Sequence, residues 1–395
     1  MPCSPGTPDF DDDDLLRTPK NGHLWSMDHR FICKPTDLSL GIARQIILRD
    51  VTNTKWVIKL NQGFSGKGNA SLDIETVQSK ISRDSNGKAL MDDVNMMVYE
   101  IAVDIENKFP QMKFECGEIS WCGDRNRASF IDQMSRLGAI AEAYIEGPCV
   151  ASPSVQAVVD PALEGADRVK ILSTHEQVRF NGIDFIYSYS HATHTNLNLK
   201  VLSGQIYSGC INPANSAYRT LLVEYTKKIG GKLAEYNIVT HFSVDFVATN
   251  THVDGSGRWN IIGIEINLRQ GGTTHPYSTM ATLCGGQISP DGVFQTKEGK
   301  ERCYEATDNF FDNRLIGVES SAFLSEYRQS SDPLVIKLRW NQEQKVGVVF
   351  HLFPLLQVGK LGFTAIAETP HQASALFKGT VEMLDSMANK LNTSR

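Results

Sequence analysis

The spacing of apolar and polar residues changes repeatedly along the chain, and each change predicts an element. WVIKLN, Trp56 to Asn61, reads as a strand; GFSGKGN follows, then a second short strand, ASLDI, so a glycine-rich loop between two strands predicts a hairpin flap. From Ala89 to Phe109 the apolar positions Leu90, Val94, Met97, Val98, Ile101 and Ile105 recur at helical spacing, and Pro110 marks the stop. A second helix is predicted around Ser129 to Leu137, and AIAEAYIEG then reads as strand into turn. SVQAVVD, VKILSTHEQVRF and GIDFIYSYS predict a β-rich middle. Ser216 to Tyr236 is helical in pattern, with the Gly230-Gly231 pair expected to kink or end it. From about Asp332 the pattern predicts three strands, LVIKLRW, VGVVFHLFPLL and LGFTAIAET, and then a helix from Pro370 to Leu391 with Thr369 as its cap.

Two further strands carry the most informative pattern. HFSVDFVATN and WNIIGIEINLRQ are joined by THVDGSGR, a loop of strong turn formers. In the second, Glu265, Asn267 and Arg269 alternate with apolar Ile264, Ile266 and Leu268, so a carboxylate, an amide oxygen and a guanidinium share one face. Asp245 on the first strand is expected to face Glu265 and Asn267 across an antiparallel pair. Three oxygen ligands on one surface suit Mg²⁺, which binds one or two carboxylates together with substrate phosphate. Gly271 and Gly272, just beyond, leave room for a close approach by backbone or ligand.

Composition narrows the classes. At 395 residues, with 41% hydrophobic and 21% charged, the chain is long enough for two or three domains and ordinary for a soluble globular protein. Its net charge of -6 offers no broad basic surface, so nucleic acid is not an expected partner. The longest apolar run, Val346 to Val358, is too short to span a membrane and contains His351, and Asp11 to Asp14 stand where a signal peptide would need positive charge. The expectation is a cytoplasmic protein without a membrane partner. Eight scattered cysteines without a C-x-x-C pair read as reduced, buried thiols, and His191 and His194 lack the companions a zinc site needs.

The flap, Gly63 to Asn69, has amides and a hydroxyl able to cradle phosphate. It matches neither the P-loop, because Gly68 follows Lys67, nor G-x-G-x-x-G, because Ser71 holds the last position. In order along the chain stand a strand lysine, Lys59, the flap with Ser65, the segment Ala141 to Ile145 with Glu142, and the acidic strands with Asp245, Glu265 and Asn267. That succession resembles the ATP-grasp superfamily, and most of all its peptide ligases of the pheganomycin-biosynthesis type. The likeness rests on WVIKLNQGFSGKGNA, SPSVQ at 152 to 156, STHEQ at 173 to 177 and EINLRQGGTTHP, and covers nearly everything after about residue 25.

The resemblance implies an α+β (α/β) fold in which two α+β subdomains hold ATP between them. It places a disordered acidic, proline-rich tail over 1–24, the N-terminal subdomain with the flap over 25–145, the C-terminal subdomain with the metal and catalytic strands over 146–330, and a small α+β unit over 331–395. By the same resemblance Lys59, Ser65, Gly66, Lys67 and Gly68 hold the ATP phosphates, while Glu142 accepts from the adenine amino group and the backbone of Tyr144 and Ile145 reads the ring edge. Asp245, Glu265 and Asn267 would hold Mg²⁺ or Mn²⁺; Arg269 would serve catalysis by steadying the charge on the reacting carboxyl, and Lys59 would serve it from the phosphates.

The implied activity is a carboxylate-amine ligase that joins small-molecule carboxylate and amine substrates through an acyl phosphate, releasing ADP. His175, Gln177 and Arg179 are candidates to line the site. A non-catalytic nucleotide-binding protein stays open as the alternative, favoured by Cys149 and the short segment ahead of Trp25, with a carboxylase or kinase as a third reading; two positions depart from the family pattern. Cys149 stands where many relatives bind ribose through glutamate, and SMDHR offers His29 or Arg30 where a phosphate-binding lysine is common. The short segment ahead of Trp25 also suggests a reduced pocket, reliance on a partner or an incomplete chain, and a homo-oligomer or a partner subunit is among the expectations.

Overall fold

The computed structural model describes residues 32, 34–49, 51–64, 67–85, 89–90, 93–114, 127–163, 165–180 and 206–393. These fall into two compact units that divide after Glu146. The tail, the flap tip Ser65-Gly66, the GIDFIYSYS segment and the pair His191/His194 lie outside the described residues.

In the first unit, α1 (Pro35–Leu48) and α3 (Val94–Glu106) pack together, with the one-turn α2 (Glu75–Gln78) preceding α3 and α4 (Arg127–Leu137) following it. A four-stranded sheet runs β3-β2-β1-β4, from β1 (Lys55–Phe64), β2 (Lys67–Asp73), β3 (Lys113–Phe114) and β4 (Ala139–Ala143). The β1–β2 hairpin is the expected flap, and Gly68, buried at a φ of 90°, takes a conformation that a side chain would strain. Trp56, Ile58 and Leu60 on β1 bury their apolar face with Ile42, Ile46 and Ile101.

The second unit is built on an eleven-stranded sheet. It contains β5 (Cys149–Ala151), β6 (Pro153–Val159), β7 (Val169–Phe180), β8 (Ile206–Asn212), β9 (His241–Asn250) and β10 (Trp259–Asn267). Past these come β11 (Gly286–Ile288), β12 (Phe294–Thr296), β13 (Glu301–Phe311), β14 (Gly347–His351) and β15 (Lys360–Ala367). The main path is β10-β9-β6-β7-β8-β13-β12-β11, with β15 also pairing with β13, β14 with β15, and β5 with β9. Helix α5 (Arg219–Glu235) covers Val155, Val169, Phe242 and Val244 on one face, while α6 (Thr274–Cys284) packs Met280 and Cys284 against Tyr304 and Ala306. After them come α7 (Ser320–Gln329), α8 (Pro333–Leu338) and α9 (Pro370–Thr393).

Several expectations change here. LVIKLRW is the short helix α8 instead of a strand, because Asp332 caps it by accepting from the Leu334 N–H at 2.8 Å and Pro333 opens it. The next predicted strand stops at His351, where Leu352 turns left-handed and a 3-10 helix, Phe353–Val358, begins. Helix α5 runs straight through Gly230-Gly231 to Glu235. The apolar face of the alternation is not a core face at the end of β10, since Ile266 on this edge strand and Leu268 just beyond it are each about half exposed. Thr369 does cap the last helix, its hydroxyl accepting from the Gln372 N–H at 3.2 Å.

Candidate functional site

In the first unit, Lys59 and Glu142 project from neighbouring strands: Lys59 stands opposite Ile140, and Glu142 opposite Val57. Their side chains meet diagonally in an ion pair of 2.6 Å, both about one-fifth exposed. The predicted phosphate ligand and the predicted adenine ligand therefore touch, so one pair of opposite charges sits on the sheet surface. Tyr144's own backbone is engaged within the unit, its N–H with the Lys55 carbonyl and its carbonyl with the Asn53 amide, both at 2.9 Å. Ile145 follows it, half-buried. Lys67 and Gly68 open β2 directly after the flap tip, with Lys67 paired to Phe64.

In the second unit, the register places Glu265 directly opposite Asp245, and Asn267 opposite Ser243. Beyond β9 the pairing continues across β6 and β7, giving two polar rows on one face of the sheet. The first runs Glu265, Asp245, Ser154, His175; the second runs Asn267, Ser243, Gln156, Ser173. The opposite face of the same strands carries Val155, Val244 and Phe246 in the core beneath α5, which is why alternation leaves the polar set together. The Ser154 hydroxyl, buried, donates to Asp245 Oδ1 at 2.6 Å.

A bulge at Ile264, between the pairs Gly263–Phe246 and Glu265–Asp245, re-aims the end of β10. Arg269 beyond it folds back so that Nη2 donates to Asn267 Oδ1 at 3.1 Å and Nη1 to the Gln270 carbonyl at 3.3 Å. The turn that follows is closed by the Gly271 N–H donating to Thr274 Oγ1 and the Thr274 N–H to the Gly271 carbonyl, each at 3.0 Å. From beneath, the buried amide of Gln156 donates to the buried Thr273 hydroxyl.

Among the described residues no group of three or more His, Cys, Asp or Glu side chains could hold a metal ion. Asp245, Glu265 and Asn267 supply two carboxylates and a neutral amide oxygen, all hard donors. That set fits Mg²⁺ or Mn²⁺ whose shell is completed by phosphate and water.

Other candidates stand differently. His175 is fully buried, and burial pushes its pKa down to about 3, so it is a neutral ring inside the sheet and does not line an accessible surface. Gln177 is also buried, its amide oxygen accepting from the Ser152 hydroxyl at 3.5 Å. Arg179 is a position on β7 whose side chain lies outside the description, as do His29 and Arg30. Cys149 is a buried strand residue opposite Asn250, its thiol pushed up mainly by burial, and offers no exposed contact to a ribose. Cys210, Cys284 and Cys303 are likewise free and buried.

The model of the family described as IQCH-like, ATP-grasp, matches residues 32–289, more than half of the chain, and the chain belongs to that ATP-grasp family. Over 186 residues it is 25% identical to the L-propargylglycine–L-glutamate ligase of Streptantibioticus cattleyicolor, a match covering 47% of this chain and 36% of that protein. The chain thus matches little more than a third of that curated relative's length. The resemblance to ATP-grasp peptide ligases is borne out at this level. Among solved structures, carboxyaminoimidazole ribonucleotide synthase from Aspergillus clavatus, complexed with ATP, superposes with a TM-score of 0.45 at 12% identity over 93% of this chain and 69% of that one. A biotin carboxylase complex from Campylobacter jejuni gives a TM-score of 0.40 at 11% identity, over 87% and 64%.

Proposed function

We propose that the chain is an ATP- and Mg²⁺-dependent carboxylate-amine ligase that forms an amide bond between small molecules of the amino-acid or peptide class through an acyl phosphate. The observation that carries this reading is the Asp245–Glu265 cross-strand pair with Asn267 and Arg269 following on the same chain segment. A pure nucleotide binder has no need of a guanidinium held beside the cation ligands. Amide formation from a free carboxylate is uphill in water. Transfer of the γ-phosphoryl group makes the carboxylate oxygen a leaving group, which the amine then displaces as phosphate.

Little covalent work falls to the protein, so positioning and charge carry the chemistry. Lys59, Lys67 and the flap residues Ser65, Gly66 and Gly68 would bind the phosphates, and Glu142, with Tyr144 and Ile145, the adenine. Lys59 would then exchange part of its bond with Glu142 for phosphate oxygens. Asp245, Glu265 and Asn267 would hold Mg²⁺ or Mn²⁺, whose bound charge offsets that of the β- and γ-phosphates. Arg269 would face the charge that develops on the reacting carboxyl.

The test is ADP release from the full chain with ATP and Mg²⁺, against pooled amino acids and dipeptides, with mass spectrometry of the mixtures. A ligase gives ADP with particular pools and a product mass equal to two substrates minus water. Glu265→Gln is expected to abolish this release with its melting temperature near that of the wild type; undiminished turnover in that variant removes the metal assignment. ADP formed without an amine indicates a carboxylase or kinase. ATP binding without turnover in any pool favours the non-catalytic reading, to which the buried Cys149 lends the one structural argument.

A further inference from the structure

Ser154 lies in the middle of the first polar row, on β6, a strand with neighbours on both sides. The residue is 1% exposed, and its hydroxyl is bonded to Asp245 Oδ1 at 2.6 Å. A hydroxyl has a single proton to give, and here it goes to a carboxylate that stands directly opposite Glu265. The terminal torsion of an aspartate is broad and roughly two-fold, so packing alone leaves the carboxylate plane loosely defined. A charge-assisted bond from a fully enclosed hydroxyl removes that freedom.

We propose that Ser154 is a positioning residue for the divalent cation: by fixing one oxygen of Asp245 it aims the other at the ion shared with Glu265 and Asn267. This rests on the reading of those three residues as cation ligands. Sequence spacing gives no hint of it, because Ser154 and Asp245 are 91 residues apart and meet only through the β6–β9 register. With Ser154 bonded to Oδ1, Asp245 would present its other oxygen to the ion, and contact through one carboxylate oxygen suits the small octahedral shell of Mg²⁺.

The test uses the full chain and Mn²⁺ with ADP, followed by the enhancement of water-proton relaxation, which separates protein-bound Mn²⁺·ADP from the free complex. Groups that orient a metal ligand typically change metal affinity by about 10- to 100-fold when removed. Ser154→Ala is therefore expected to bind Mn²⁺·ADP at least about tenfold more weakly than wild type, with metal-free ADP binding unchanged. Ser154→Thr and Ser154→Val, which share a shape and differ in the hydroxyl, form the second pair: Thr retains tight binding and Val loses it, whatever either does to the melting temperature. Equal affinity in the Ala and wild-type proteins, or in the Thr and Val proteins, while Asp245→Asn loses binding, would overturn the role of Ser154 and leave the metal site standing. Equal binding by wild type and Asp245→Asn, or none by wild type, would remove the ligand assignment and this proposal with it.

Discussion

His175 is an imidazole with no exposed surface and, among the described residues, no hydrogen bond to either ring nitrogen. Burial lowers its pKa from 6.5 to about 3, so the folded chain keeps the ring neutral across the range in which the unfolded chain protonates it. Stability owed to the neutral ring is complete above pH 6.5 and is lost as pH falls from there toward about 3, because only the unfolded state takes up the proton. His351, lowered to about 4 by burial and then by the neighbouring His275, acts in the same direction over a narrower window. Glu176 and Asp308, whose pKa values burial raises, act in the opposite sense near and above ordinary carboxylate values, so the informative comparison is between wild type and a variant. His175→Leu is expected to remove up to about 1.4 kcal/mol per pH unit from the slope of unfolding free energy below pH 6.5. Urea titrations at a series of pH values from 7 down to about 4.5 measure it, and equal slopes in the two proteins would contradict a neutral buried ring.

At the scale of elements, Gly230 and Gly231 show how far pattern alone reaches. Two adjacent glycines read as a helix break, yet α5 passes through them, and the reason is on the sheet side. A Cβ on Gly230 would lie 2.6 Å from Val169 Cγ1 and 2.8 Å from Phe242 Cζ, whereas one on Gly231 meets nothing within 4 Å. Gly230 lets the helix lie close on β7 and β9, while Gly231 only forfeits helix propensity. Gly230→Ala should therefore lower stability by about 1–3 kcal/mol through overpacking, and Gly231→Ala should raise it by about 0.5–1 kcal/mol. Denaturant midpoints for the two variants give the answer, and a gain at both positions would show that helix propensity outweighs the close approach. The hairpin β1–β2 and the pair β9–β10 were legible because alternation and turn residues are local signals. Helix α8 runs against its local pattern: Leu334, Val335 and Ile336 favour a strand by composition, and the cap from Asp332 with Pro333 outweighs them. The Asp245–Glu265 opposition could be anticipated from two adjacent strands and a short loop. The grip of Gln156 on Thr273 could not, since the partners are 117 residues apart and only the sheet order brings them together.

Across the second unit, the segment 331–395 shares one sheet with the strands that precede it. Its pattern reads as a small α+β unit with a core of its own, and Phe363, Phe377 and Leu384 do form a hydrophobic cluster with Leu315 and Phe323. Yet β15 pairs with β13 over the span from Cys303–Ala367 to Phe311–Lys360, and β13 pairs in turn with β8 inside the same sheet that carries Asp245. Backbone hydrogen bonds across that sheet tie the C-terminal cluster to the cluster of Val155 and Phe242 beneath α5. Unfolding one side would strip the partner from a buried ladder, leaving unpaired amides and carbonyls at a cost of about 1–3 kcal/mol each. The second unit should therefore unfold as one cooperative body. Phe363→Ala and Val155→Ala, both at fully buried positions, are predicted to lower the same calorimetric transition, Phe363→Ala by about 3–5 kcal/mol. If Phe363→Ala instead moved a transition that Val155→Ala leaves in place, the segment 331–395 would be a separate folding domain that lends the sheet only an edge. Asp245, Glu265 and Asn267, the proposed cation ligands, would then stay ordered without it.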